Sequence, residues 1–115
     1  MSKKFKTAVW NGYTIHLFHT IDGWWMFSKD VCDALGLKNK EVSRQLRKDQ
    51  EEDNEPSQEI QKYISCFPMR YEDGSSHDRL VVTEKGVQKI ALHFPSKETE
   101  DFQEWACSVF RKVKE

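Results

Sequence analysis

Ser28-Lys29-Asp30-Val31-Cys32-Asp33-Ala34-Leu35-Gly36-Leu37-Lys38-Asn39-Lys40-Glu41-Val42-Ser43-Arg44-Gln45-Leu46-Arg47 reads as two short helices meeting at a glycine-bearing turn. Ser28 is the expected N-cap of the first helix, residues 29–35, and Asp30 sits in its first turn, where negative charge meets the positive end of the helix dipole. Val31, Ala34 and Leu35 form its apolar side, and Gly36 ends it by taking the left-handed conformation that glycine tolerates. Asn39 is the expected cap of the second helix, with Val42 and Leu46 facing inward. Val31, Leu35, Leu37 and Val42 are placed to hold the angle between the two, the pattern of a helix-turn-helix whose second helix enters the major groove. The residues left for the outside suit that task. Lys38, Lys40 and Lys48 can neutralise phosphates, Arg44 and Arg47 can fork onto guanine, and Gln45 can pair with adenine. Asn39 and Ser43 complete the candidate DNA-binding set. Short helix pairs with basic outer faces are also common as plain solvated surface, so this stretch alone leaves the matter open.

Upstream, Phe5-Lys6-Thr7-Ala8-Val9-Trp10 and Tyr13-Thr14-Ile15-His16-Leu17-Phe18 flank Asn11-Gly12, the pair a type I′ hairpin turn prefers. Trp24-Trp25-Met26-Phe27 follows Asp22-Gly23 as a third strand, with one of the adjacent tryptophans expected to face out. Downstream, residues 49–58 are strongly polar, contain Pro56 and read as a mobile loop. Residues 60–67 and 79–82 read as strands around the Asp73-Gly74-Ser75-Ser76 turn. Thr83 caps a helix running to about Phe94, in which Gly86 is a soft spot, costing about 1 kcal/mol against alanine. Ser96 caps a last helix with Glu98, Glu100 and Asp101 at its start and Arg111, Lys112 and Lys114 at its end. Phe102, Trp105, Ala106, Val109, Phe110 and Val113 make its apolar stripe. The expectation is one α+β domain over residues 1–115: a small antiparallel sheet with an N-terminal hairpin, a helix-turn-helix-like pair and a C-terminal amphipathic helix.

The chain is 37% hydrophobic and 12% aromatic, enough for a core at 115 residues. Its apolar runs are far shorter than the roughly 20 residues that span a bilayer. The start lacks the apolar region of a signal peptide, which points to the cytoplasm, that of a bacterial host if the protein is phage-derived. Cys32, Cys66 and Cys107 show neither disulfide-framework nor zinc spacing and read as buried free thiols acting as small apolar residues. His16 and His19 fall on opposite faces of one strand and cannot share a metal there. His77-Asp78 beside Ser75-Ser76 reads as a loop tip without a positioned nucleophile, and no enzyme activity, cofactor or metal is expected. Net charge is −1, but local charge is polarised: residues 38–48 are basic and residues 49–59 acidic.

Residues 22–39, with Lys29-Asp30-Val31 and Ala34-Leu35-Gly36-Leu37-Lys38-Asn39, resemble the opening signature of the BRO N-terminal domain of phage antirepressor-like and large-DNA-virus BRO proteins. Arg47-Lys48-Asp49-Gln50-Glu51-Glu52-Asp53 sits where that family has an acidic segment. Val82-Thr83-Glu84-Lys85-Gly86-Val87 and Phe102-Gln103-Glu104-Trp105 resemble its later "L-T-E-x-G" and "F-x-x-W" helices. The resemblance covers nearly the whole chain in the family's order. Many relatives carry a further C-terminal domain, and the run from Glu52 to Glu59 is more acidic than the family pattern. The resemblance implies a viral or prophage regulator that binds double-stranded DNA through residues 38–48, and since a lone module of this size makes few contacts, a homodimer on a two-fold site is expected. A second reading is an antirepressor that captures a repressor or other regulatory protein through residues 49–59 without touching DNA.

Overall fold

The computed structural model describes residues 5–21, 23–53, 62–70 and 72–114. Strands β1 (Phe5–Trp10) and β2 (Tyr13–Thr20) form the expected hairpin, with Trp10 opposite Tyr13 across the turn. Asn11 and Gly12 both take positive φ, 50° and 82°, as a type I′ turn requires. Then follow β3 (Gly23–Phe27), α1 (Ser28–Leu35), α2 (Asn39–Asp53), β4 (Ile64–Arg70), β5 (Ser76–Val82), α3 (Glu84–His93) and α4 (Lys97–Lys114). The fold is α+β. Its five strands pair antiparallel in the order β1-β2-β3-β5-β4, and β3 meets β5 through only two residue pairs, Met26 with Val82 and Phe27 with Val81.

Alternation along the strands gives each face of the sheet its own core. Ile15, Leu17, Trp24, Met26, Ile64 and Val82 pack with Val31, Val42, Leu46, Val87, Ile90, Phe102, Ala106 and Phe110 from the helices. The opposite face carries Phe18, Trp25 and Val81, with Phe27, Phe67 and Met69 against them. Phe18 on β2 and Phe67 on β4 lie three strand spacings apart in the sheet order, roughly 14 Å if it were flat. Their ring centroids are 5.6 Å apart, edge to face, so the sheet curls until its outer strands close over this second layer.

That curl corrects the expectation for the tryptophan pair: Trp24 and Trp25 point to opposite faces, yet both are buried, 8% and 1% exposed. Ser28 is not the cap of α1. Phe27 holds that position without a side-chain cap bond, and Ser28 is fully buried, its hydroxyl donating to Asn39 Oδ1 at 2.6 Å. Asn39 correspondingly opens α2 with its side chain turned back to α1. The first part of the expected loop, 49–53, is helical and belongs to α2, whereas residues 54–58 lie outside the described residues. His77 and Asp78 lie in β5 opposite Met69 and Pro68, not in a loop tip. Of the expected strand 60–67, residues 60 and 61 lie outside the described residues and the strand runs Ile64–Arg70; the expected strand 79–82 becomes Ser76–Val82. Pro68 is tolerated because β4 is an edge strand.

The helix caps after the sheet are as expected. Thr83 Oγ1 accepts from Gly86 N at 3.0 Å, and Ser96 Oγ accepts from Thr99 N at 3.0 Å. Gly86 is more than a soft spot. A Cβ placed there would lie 2.2 Å from the Tyr63 carbonyl oxygen, so α3 approaches the backbone before β4 as only glycine permits.

The three cysteines are free thiols, but of the three expected to be buried only Cys32 is; Cys66 is exposed on the edge strand β4 and Cys107 is half-buried. Burial pushes the Cys32 thiol up to about 11, against a smaller opposing effect of the Ser28 hydroxyl, while Cys66 is exposed. Alkylation of the native protein near pH 8, followed by mass spectrometry, is therefore expected to label Cys66 first and to spare Cys32 until the protein is denatured. Prompt labelling of Cys32 would contradict the packing of α1.

Candidate nucleic-acid interface

The order of contacts along α2 gives it an inner and an outer side. Val42 and Leu46 enter the core in its first half, as a helical stripe should. In its second half the same stripe continues with polar residues that find polar partners. Asp49, 6% exposed, accepts from the His93 ring Nε2 at 2.5 Å and from the Gln45 amide at 3.1 Å. Gln50 Oε1 accepts from the backbone N–H groups of Tyr63 and Ile64, at 2.8 and 3.2 Å. Asp53 accepts from the Tyr63 hydroxyl at 2.5 Å and pairs with the Lys89 ammonium at 3.1 Å. The Tyr63 hydroxyl, and then Lys89, hold the Asp53 carboxyl below the usual carboxylate range. Burial, and then Asp53, pushes the Tyr63 phenol up to about 12. The acidic end of α2 is thus built into the joint with β4 and α3.

At the other end, Ser28, Cys32 and Asn39 tie the start of α2 to α1, and Leu37 N donates to Cys32 O at 2.9 Å across the turn. Gly36 takes φ 68°, the left-handed conformation that ends α1. Asp30 braces α1 against β2, accepting from the backbone N–H and the ring Nδ1 of His16, each at 2.9 Å.

The candidate residues divide accordingly. Lys38, in the turn, and Lys40, Arg44, Arg47 and Lys48, on α2, are exposed. No hydrogen bond or ion pair among the described residues engages their charged ends. Lys40, Ser43, Arg44, Arg47, Lys48 and Glu51 line one shallow groove along the outer side of α2. Eight residues separate Lys40 from Lys48, about 12 Å of helix, and the cylinder is about as wide as the major groove. The other three candidates are engaged within the fold, Ser43 at the floor of that groove and Asn39 and Gln45 away from it. Ser43 is buried, its hydroxyl donating to Lys40 O at 3.0 Å; Gln45 is engaged by Asp49; Asn39 is engaged by Ser28.

Other surfaces fit anions less well. The cleft between α1, the start of α2 and β5 carries Asp30, Asp33 and Asp78 against Lys29 and Arg79. Among the described residues no group of three His, Cys, Asp or Glu is arranged to hold a metal ion, and no helix is long and apolar enough to cross a membrane. The acidic joint is what sequence reasoning missed. Its signal was there in the spacing of Val42, Leu46, Asp49, Gln50 and Asp53, one helical stripe whose last three members are polar.

A family model described as the N-terminal domain of the BRO family matches residues 14–112, from β2 to the last turns of α4. No curated protein and no solved structure matches the chain.

Proposed function

From the premise that the chain belongs to the BRO family through its N-terminal domain, we propose that it is a transcriptional regulator binding double-stranded DNA through the outer side of α2. Domains of this family occur in phage and viral BRO proteins, which are generally DNA-binding regulators. The observation that carries the reading is the stripe of Lys40, Arg44, Arg47 and Lys48, exposed, without internal partners, on a helix fixed at both ends. A fixed helix spares the backbone part of the ordering cost on binding, leaving only the side chains to be ordered. Arg44 and Arg47, central in the stripe, approach base edges; Lys38, Lys40 and Lys48 grip phosphates. Three to five such contacts per copy give a slope of roughly −3 to −4.5 in log affinity against log salt. So short a helix reads few base pairs alone, and a homodimer on a two-fold site supplies the rest.

Capture of a repressor through residues 49–59 has less to stand on. Asp49 and Asp53 are engaged by His93, Gln45, Tyr63 and Lys89, so of Glu51, Glu52 and Asp53, the exposed acids of the described part, only Glu51 and Glu52 lack such a partner among the described residues.

The test is retention of the purified protein on pooled random duplex DNA at two salt concentrations, with sequencing of the retained fraction. An enriched motif whose retention falls steeply with salt is the expected result. No retention even at low salt would overturn the reading.

A further inference from the structure

We propose that β1 is the homodimer interface: two copies pair their β1 strands antiparallel about a two-fold axis at Thr7 and so join their sheets into one. The inference rests on the dimeric part of the reading above and not on the contact with DNA.

β1 is an edge strand whose only partner among the described residues is β2. In a hairpin closed by a two-residue turn, the residues flanking the turn exchange both backbone hydrogen bonds, and hydrogen-bonded pairs then alternate. Lys6, Ala8 and Trp10 therefore direct their N–H and C=O groups to β2, while Phe5, Thr7 and Val9 direct theirs to the open edge. Natural edges are usually blunted by a charge, a proline or a bulge. This one presents Phe5, Thr7 and Val9, with Phe5 55% and Val9 62% exposed.

The edge is complementary to itself in one register. With the axis at Thr7, Phe5 of each copy lies opposite Val9 of the other, and Thr7 lies opposite its own equivalent. The three outward-directed residues are the ones that would form hydrogen-bonded pairs, so backbone and side chains agree on that register. Both large apolar side chains of the strand become covered. Lys6 lies opposite Ala8, so the two ammonium groups do not face each other, and each is drawn over its own Trp24 ring, 5.9 Å from the centroid.

On the face of the sheet opposite to Phe5, the neighbouring helix adds a second apolar surface beside β1. A groove of about 340 Å³ runs between β1 and α4, lined by Ala8, Val9, Trp105, Val109 and Val113 with Lys6 and Lys112 at its margins. Trp105, Val109 and Val113 are only partly buried. Pairing of the strands would bring the second copy's β1 and α4 alongside them. β1 spans about 20 Å and α4 about 27 Å. No α2 residue lines that groove, so both basic stripes remain open.

Sedimentation equilibrium of the full chain without DNA tests the proposal on the wild type, on Val9→Lys and on the double variant Phe5→Glu/Val9→Lys. The wild type is expected at twice its 13.6 kDa and Val9→Lys at half that dimer mass. The double variant is expected to return to the dimer, because the register sets the new carboxylate at position 5 of one copy against the new ammonium at position 9 of the other. Should Val9→Lys lose its helical circular dichroism, Thr7→Pro replaces it, removing an outward N–H that an edge strand can spare. A monomeric wild type defeats the dimer and the interface together. A dimer that survives Val9→Lys, or a folded Val9→Lys monomer that Phe5→Glu does not restore, defeats the interface alone. DNA retention is scored in its own experiment, so failure there is distinguishable from failure here.

Discussion

Replacing Arg44 and Arg47 together by alanine is expected to weaken binding to the selected DNA motif by about thirtyfold or more, with the fold unchanged. A forked arginine–guanine contact discriminates by roughly 1–3 kcal/mol, and the two side chains sit on adjacent turns of one stripe. Neither guanidinium has an internal partner, so thermal stability should hold. Because base contacts carry sequence information, the double variant should also lose its preference for the motif over random duplex. Its salt slope should fall by less than a comparable loss of lysines, each of which removes about one unit. Titration of labelled duplexes at two salt concentrations separates these outcomes. Unchanged affinity for every duplex would remove α2 from the interface.

Gly86→Ala is expected to destabilise the protein by about 2 kcal/mol or more, although alanine is the better helix former. Propensity alone favours alanine by about 1 kcal/mol. Against that, the new methyl would meet the Tyr63 carbonyl oxygen at 2.2 Å and its carbon at 3.1 Å. That carbonyl has little freedom to move. It accepts from Thr83 N at 3.1 Å, while the neighbouring Lys62 carbonyl accepts from Thr83 Oγ1 at 2.6 Å. Overpacking against fixed backbone costs typically about 1–3 kcal/mol and occasionally more. In a domain of this size the loss lowers Tm by roughly 10 °C. Since Tyr63 also receives the end of α2, the damage should reach the basic stripe, and DNA affinity should fall along with stability. A variant as stable as the wild type by thermal denaturation would show that α3 and Tyr63 are not so closely apposed.

What was legible in the sequence was local chemistry. Asn11-Gly12, Gly36, Thr83 and Ser96 mark turns and helix ends by their own backbone preferences or by bonds to residues a few positions away. The core stripes of α1 and α4 were legible for the same reason. What was hidden depends on partners distant in the chain. Ser28 reads as a cap because serine before a helix usually is one, until Asn39 is found within reach of its hydroxyl. The helical run 49–53 reads as loop because its inward residues are polar, and only Tyr63, Lys89 and His93 show that an inward face can be hydrogen-bonded instead of apolar. Trp25 is buried by a curl that no alternation pattern encodes. Within the candidate interface the basic residues were readable one by one, but not that Asn39, Ser43 and Gln45 turn inward.

The division of α2 into an inner and an outer side also bears on how such a protein can change over generations. Everything that holds the helix in place lies on the inner side: Val42, Leu46, Asp49, Gln50 and Asp53, with Asn39 at the entrance. Among the described residues the outer side carries no structural duty, since none of them makes a hydrogen bond or ion pair to the guanidinium of Arg44 or Arg47. On the proposed reading, operator preference can therefore drift by substitutions at the outer positions while the scaffold stays intact. A lineage can acquire a new target gene without passing through an unfolded intermediate.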